Sequence, residues 1–147
     1  MADKDRLRLI FHGAIVLLVG LLCGLPTAVE ASGESVRFWH TAHEALIMVG
    51  IWMFAASSVR PVLGLDRRES TAFLWSFFAM GYGLMTALVM GGVLGVSPFT
   101  PGGTPLTVIA FLSAVVGIFG SFVATAVTLM GVRAALDNRT AGSATRL

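Results

Sequence analysis

Four long apolar blocks set the pattern of the chain: residues 8–27, 39–59, 71–96 and 105–132. Each is long enough to cross a hydrocarbon core of about 30 Å, which takes about 20 apolar residues in a helix. Charge is confined to their flanks. Leu9 to Val29 carries none, and neither does the stretch from Ser70 to Val132. Pro26, Pro61, Pro98, Pro101 and Pro105 fall at block ends, where a residue without an amide hydrogen stops or starts a helix. No block alternates apolar and polar residues with a period of two, which argues against a lipid-embedded barrel. The third and fourth blocks exceed a perpendicular crossing, so they tilt, kink at a glycine or protrude. The pattern predicts an all-α, integral membrane four-helix bundle, a single transmembrane domain over residues 1–147. Residues 134–147 read as a polar cytoplasmic tail with a mobile end.

Composition agrees. Only 12% of the 147 residues are charged, about half the usual share for a soluble domain, and the mean hydropathy is +0.85. The basic side chains fix a direction. Lys4, Arg6 and Arg8 precede the first block, Arg37 alone follows it, and Arg60, Arg67 and Arg68 lie between the second and third. The third connection has none, and Arg133, Arg139 and Arg146 follow the last block. By the positive-inside rule this alternation places both termini in the cytoplasm, in a bacterial-type inner membrane. Spread over separate connections, these residues form no continuous stripe, so no nucleic-acid partner is expected; the surroundings are membrane lipid. The first block resembles a signal peptide, but its apolar run to Leu25 exceeds the usual 7–15 residues, and it reads as a retained span. Cys23, the single cysteine, reads as a small hydrophobe. Gly20-xxx-Gly24, Gly91-xxx-Gly95 and Gly117-xx-Gly120 are spacings that allow close helix approach.

Ionisable residues inside a span are candidate functional groups by default. Here they are His12, His40, His43 and Glu44, with Tyr82 as a further polar member. There is no Ser-His-Asp arrangement, no paired carboxylate and no phosphate-cradling loop. His40 and His43 are three residues apart, and His40 and Glu44 four, so each pair shares a helix edge. A neutral imidazole ligates haem iron, zinc or copper. His40, beside Trp39, also reads as an interfacial cap. His12 and His43 sit near opposite ends of their spans, on the order of 15–20 Å apart in depth, so they cannot share one iron within a protomer. A single axial histidine leaves the opposite position open for chemistry. Four short helices enclose little interior, and a large cofactor would have to sit between protomers.

Several short motifs resemble a known group of small membrane isomerases. His12-Gly13 with the Gly20-Leu-Leu-x-Gly24-Leu run looks like the opening of hydroxylaminobenzene mutases. Ala42-His43 to Gly50, with Pro61 beyond, is similar in spacing to the second helix of styrene oxide isomerase. Trp75 and Tyr82 resemble the third-helix pattern of the mutases, and Thr128 to Arg133 the last helix of both. The resemblance implies a homotrimer holding haem b between protomers, with His43 at the position of the axial ligand. It further implies ferric iron acting as a Lewis acid on a small hydrophobic aryl epoxide. Ring opening to a benzylic cation and a 1,2-hydride shift then give the aldehyde. That route needs no protein nucleophile, and it needs water excluded. Arg37 is a candidate partner for a haem propionate, His40 a further cofactor-binding candidate, and Tyr82 the nearest remaining donor to the substrate.

The chain departs from the pattern at two positions where both relatives carry Asn: here they are Val49 and Leu84. Their absence leaves the pocket more apolar. Two other reactions or roles stay open on the sequence: rearrangement of arylhydroxylamines to aminophenols, and a non-enzymatic b-type haem protein. A small multidrug exporter would want a carboxylate in the first span, which has none.

Overall fold

The structure is a computed structural model that describes residues 2–29 and 34–144. Four helices form it: α1 (Ala2–Val29), α2 (Glu34–Val59), α3 (Arg67–Leu94) and α4 (Pro105–Ala144), with a short 3-10 turn at Arg60–Val62 between α2 and α3. All four are long and apolar enough to cross a membrane, and no strand occurs among the described residues. The chain is a multi-pass, all-α membrane bundle.

Neighbouring helices run antiparallel, and glycines set how close they come. A Cβ added at Gly13 would lie 3.0 Å from Met53 Cβ, and one at Gly20 would lie 2.9 Å from the Ile47 amide nitrogen. On the other side of the bundle, added Cβ atoms at Gly83 and Gly120 would sit 2.6 Å from the backbone nitrogens of Gly117 and Met80. The main packing pairs are therefore α1 with α2 and α3 with α4, while α2 against α3 joins the two. Leu9, Val16, Leu46, Met53, Phe73 and Met80 fill the seam and are almost fully buried. Most other large apolar side chains, Trp75, Phe119 and Phe122 among them, face outward, as a lipid solvent allows.

Three local features differ from the sequence pattern. Pro26 does not end the first helix, which continues to Val29. The proline removes one hydrogen bond from the last turn, where few would follow it, and Thr27 Oγ1 donates to the Gly24 carbonyl at 2.6 Å. Gly91 and Gly95 do not bring two helices together. They build the exit from α3: Gly95 adopts the left-handed conformation (φ 62°), and the Val96 amide donates to the Gly91 carbonyl. Pro98 folds back over Gly91, 2.9 Å from where a Cβ would stand.

The third difference is the C-terminal tail. The segment from 134 is helical as far as Ala144, continuing α4, and 145–147 lie outside the described residues. Ala134, Ala135 and Leu136 are strong helix formers, and the extension has something to pack on. The Gly64 amide donates to the Gly131 carbonyl at 3.1 Å, and an added Cβ at Gly64 would meet Ala134 and Ala135. Past this contact, α3 starts from a reciprocal cap in which the Asp66 carboxylate accepts from the Glu69 amide and the Glu69 carboxylate from the Asp66 amide.

Candidate functional site

His43 lies in the α1–α2 interface, one turn past Trp39. Its Nδ1 is 2.8 Å from the carbonyl oxygen of Gly20. A carbonyl only accepts, so Nδ1 carries a proton, which in the neutral form of the ring puts the lone pair on Nε2. Two glycines make this possible. At Gly20 the missing side chain lets α1 approach the backbone of α2, and at Gly24 an added Cβ would stand 2.8 Å from His43 Nδ1. The spacing that reads as a packing motif is thus also the cradle of an imidazole. Trp39, one turn earlier on α2, lies with its indole over Gly92 of α3, where a Cβ would come within 2.7 Å of the ring. Trp39 therefore docks α2 on α3.

His40, three residues before His43, is not turned toward it. Its ring is exposed and faces the Glu44 carboxylate, 3.6 Å away, as an interfacial pair would. Arg37 is also exposed and has no ion-pair partner among the described residues. It borders a cavity of about 130 Å³ beside Thr41, Ser97 and Phe99.

A second polar pair lies nearer the basic end. His12 Nδ1 is 2.6 Å from the Tyr82 hydroxyl, joining α1 to α3. Three aromatic rings surround the imidazole: Phe78 at 4.5 Å, Phe11 at 5.4 Å and Tyr82 itself at 5.6 Å between centroids. Gly20, the partner of His43, is eight residues further along α1, about 12 Å at 1.5 Å per residue. The structure does not bring Tyr82 to His43. It gives the tyrosine to His12 instead.

Val49 and Leu84 belong to the packed interior. Val49 is buried, and Leu84 packs against the same core and closes on Gly117 of α4. Both are built as hydrophobic contacts, and among the described residues no buried side-chain nitrogen or oxygen lacks a hydrogen-bond partner. Among the described residues, no three His, Cys, Asp or Glu side chains gather as a metal cluster would require. The chemistry on offer at the His43 end is one oriented imidazole nitrogen in apolar surroundings.

No curated protein and no solved structure matches the chain. A family model does: that of styrene oxide isomerase, over residues 5–133, from before the first span into the last turns of the fourth. Matched along most of its length, the chain belongs to the styrene oxide isomerase family.

Proposed function

We propose that this protein is an isomerase of the bacterial-type inner membrane that rearranges a small aryl epoxide to an aldehyde, with haem b held by His43 in a homotrimer. The observation that carries the proposal is the 2.8 Å contact of His43 Nδ1 with the Gly20 carbonyl. A ligating histidine characteristically donates its second nitrogen to a carbonyl or carboxylate, which fixes the tautomer and raises ligand basicity. A lone imidazole so fixed is a donor set that would suit a haem held by a single protein histidine. Bound there, the group would supply an iron centre acting as a Lewis acid toward the epoxide oxygen.

The chain's own residues do the rest. Gly20 and Gly24 hold the imidazole in place, and Trp39 and the apolar seam keep out the water that would trap an opened epoxide as a diol. Arg37 is six residues before His43, about 9 Å along α2, and its guanidinium, without an ion-pair partner among the described residues, is suited to a carboxylate at the membrane surface. His40 stays with Glu44. The test is the absorption spectrum and product analysis of the detergent-purified protein. Wild type should show a Soret band and convert styrene oxide to phenylacetaldehyde; His43→Ala should lose the band, and His12→Ala should keep it. Equal haem content in wild type and His43→Ala would overturn the ligand assignment. Aminophenol from phenylhydroxylamine, without aldehyde from the epoxide, would move the reaction to the mutase type.

A further inference from the structure

Hydroxyl groups within these spans follow one habit. Beyond the first turns, Thr41, Ser57, Ser58, Ser76, Ser121 and Thr128 each donate to a carbonyl three or four residues earlier. Thr71 and Thr125 do the same. A hydroxyl in hydrocarbon has no water to turn to, and bonding back along its own helix is the nearest remedy. Two residues break the habit. Thr86 of α3 and Ser113 of α4 make no hydrogen bond among the described residues, and both line the same groove.

That groove, about 270 Å³, runs between α3 and α4 and is bordered by Tyr82, Thr86 and Ser113 with Ile109, Leu112 and Val116. Its other polar member, Tyr82, is held from behind by His12 at 2.6 Å. The lining is apolar with a few polar groups set among it, the composition of a small-molecule site, and its size is just below the usual range of about 300–1,000 Å³. Thr86 is eight residues from the end of α3, about 12 Å, at the depth of acyl chains rather than headgroups. An acyl chain brings no oxygen for the two hydroxyls. A helix of a second copy, about 10–12 Å across, is too wide to enter the groove and could offer it only one side chain.

We infer that the Tyr82–Thr86–Ser113 groove is a binding site, separate from the His43 end, for a small aryl molecule carrying one oxygen function and dissolved in the membrane. The aryl, oxygenated class rests on the isomerase reading. The existence of the site rests on the two unpartnered hydroxyls and the groove between them. Thr86 and Ser113 donate to the ligand oxygen, Ile109, Leu112 and Val116, all exposed to the lipid side, flank its ring along the open groove, and His12 is the positioning residue that fixes the Tyr82 wall. The groove thus holds an oxygenated aryl compound out of the lipid phase, on the helix pair opposite the His43 cradle.

The experiment is photolabelling of the purified full-length protein in lipid nanodiscs with a diazirine-bearing benzyl alcohol, mapped by peptide mass spectrometry. Labels should concentrate in 82–86 and 109–116, and excess 2-phenylethanol should suppress them. In the shape-conserving Thr86→Val/Ser113→Ala variant they should fall by about tenfold, in keeping with two lost hydrogen bonds. Labelling at Phe119 and Phe122, on the exposed face of α4, should not change and reports that the bundle is intact. Should the double variant fail to fold, Thr86→Val alone and the competition in wild type carry the same test. Labels spread evenly over the outward faces, or undiminished in the variants, overturn the inference. So do labels that reach the groove only after the oligomer is dissociated, which would make a second copy the occupant. The readout needs no turnover, so a protein inert toward styrene oxide would fail the isomerase reading and leave this result standing.

Discussion

Gly24 leaves room for His43 in a way no larger residue could. Replacing it with Ala places a methyl carbon 2.8 Å from Nδ1 and 2.9 Å from Cε1 of the imidazole, and the ring must swing away from the Gly20 carbonyl. Disturbing the partner of a metal ligand typically costs about 10–100-fold in affinity. Haem titration of Gly24→Ala should therefore show binding weakened by about tenfold or more, while Gly103→Ala, in open space on the connecting loop, should bind as wild type does. Unchanged binding in Gly24→Ala would separate the cradle from the cofactor. His43 itself is legible in the sequence because an ionisable residue in an apolar block stands out. Its acceptor is not, since a backbone carbonyl has no letter. Thr86 and Ser113 escape for a related reason: whether a hydroxyl bonds back along its helix depends on its rotamer, and its neighbours Thr71 and Ser121 look the same on the page.

The same limit holds for elements. Hydropathy locates all four helices, because a lipid solvent demands long apolar stretches and leaves little room for other solutions. It does not locate their ends. Pro26 reads as a stop yet sits inside α1, and α4 passes the end of its apolar block at Val132, where Gly64 gives the extension a surface to lie on. Glycine spacing is equally two-sided. Gly117 and Gly120 do bring α3 and α4 together, whereas Gly91 and Gly95, with a similar interval, form a turn. The distinction has a measurable consequence. A Cβ at Gly120 would stand 2.6 Å from the Met80 amide nitrogen, against rigid backbone. Gly120→Val should push α3 and α4 apart and cost at least the roughly 1–3 kcal/mol of an overpacked interior. The midpoint of thermal unfolding in detergent measures it. Gly103→Val, with open space around it, should leave the midpoint where it is.

At the scale of the whole molecule, an even number of spans puts both termini on one side, and the basic residues say which. With Cys23 first replaced by Ala, an impermeant thiol reagent should label Thr100→Cys in intact cells and fail to label Asp137→Cys; both positions are exposed in the structure. The reverse result would invert the molecule in the membrane. The two helix pairs are otherwise joined across α2 and α3 and, through His12 and Tyr82, across α1 and α3, and at the basic end Gly64 is pressed onto α4 through Gly131, Ala134 and Ala135. That fastening works as a buckle: it ties the connection between the two halves to the last of the four helices to be synthesised. Arg67 and Arg68 lie immediately beyond it. With the buckle closed, trypsin meets these two arginines in the capped first turn of α3, in a backbone too ordered to cleave quickly. With it undone, by Gly64→Val or by ending the chain at Val132, the same pair becomes the fastest cutting site, and the ratio of cut to uncut chain becomes a gauge of whether a newly made molecule has finished assembling.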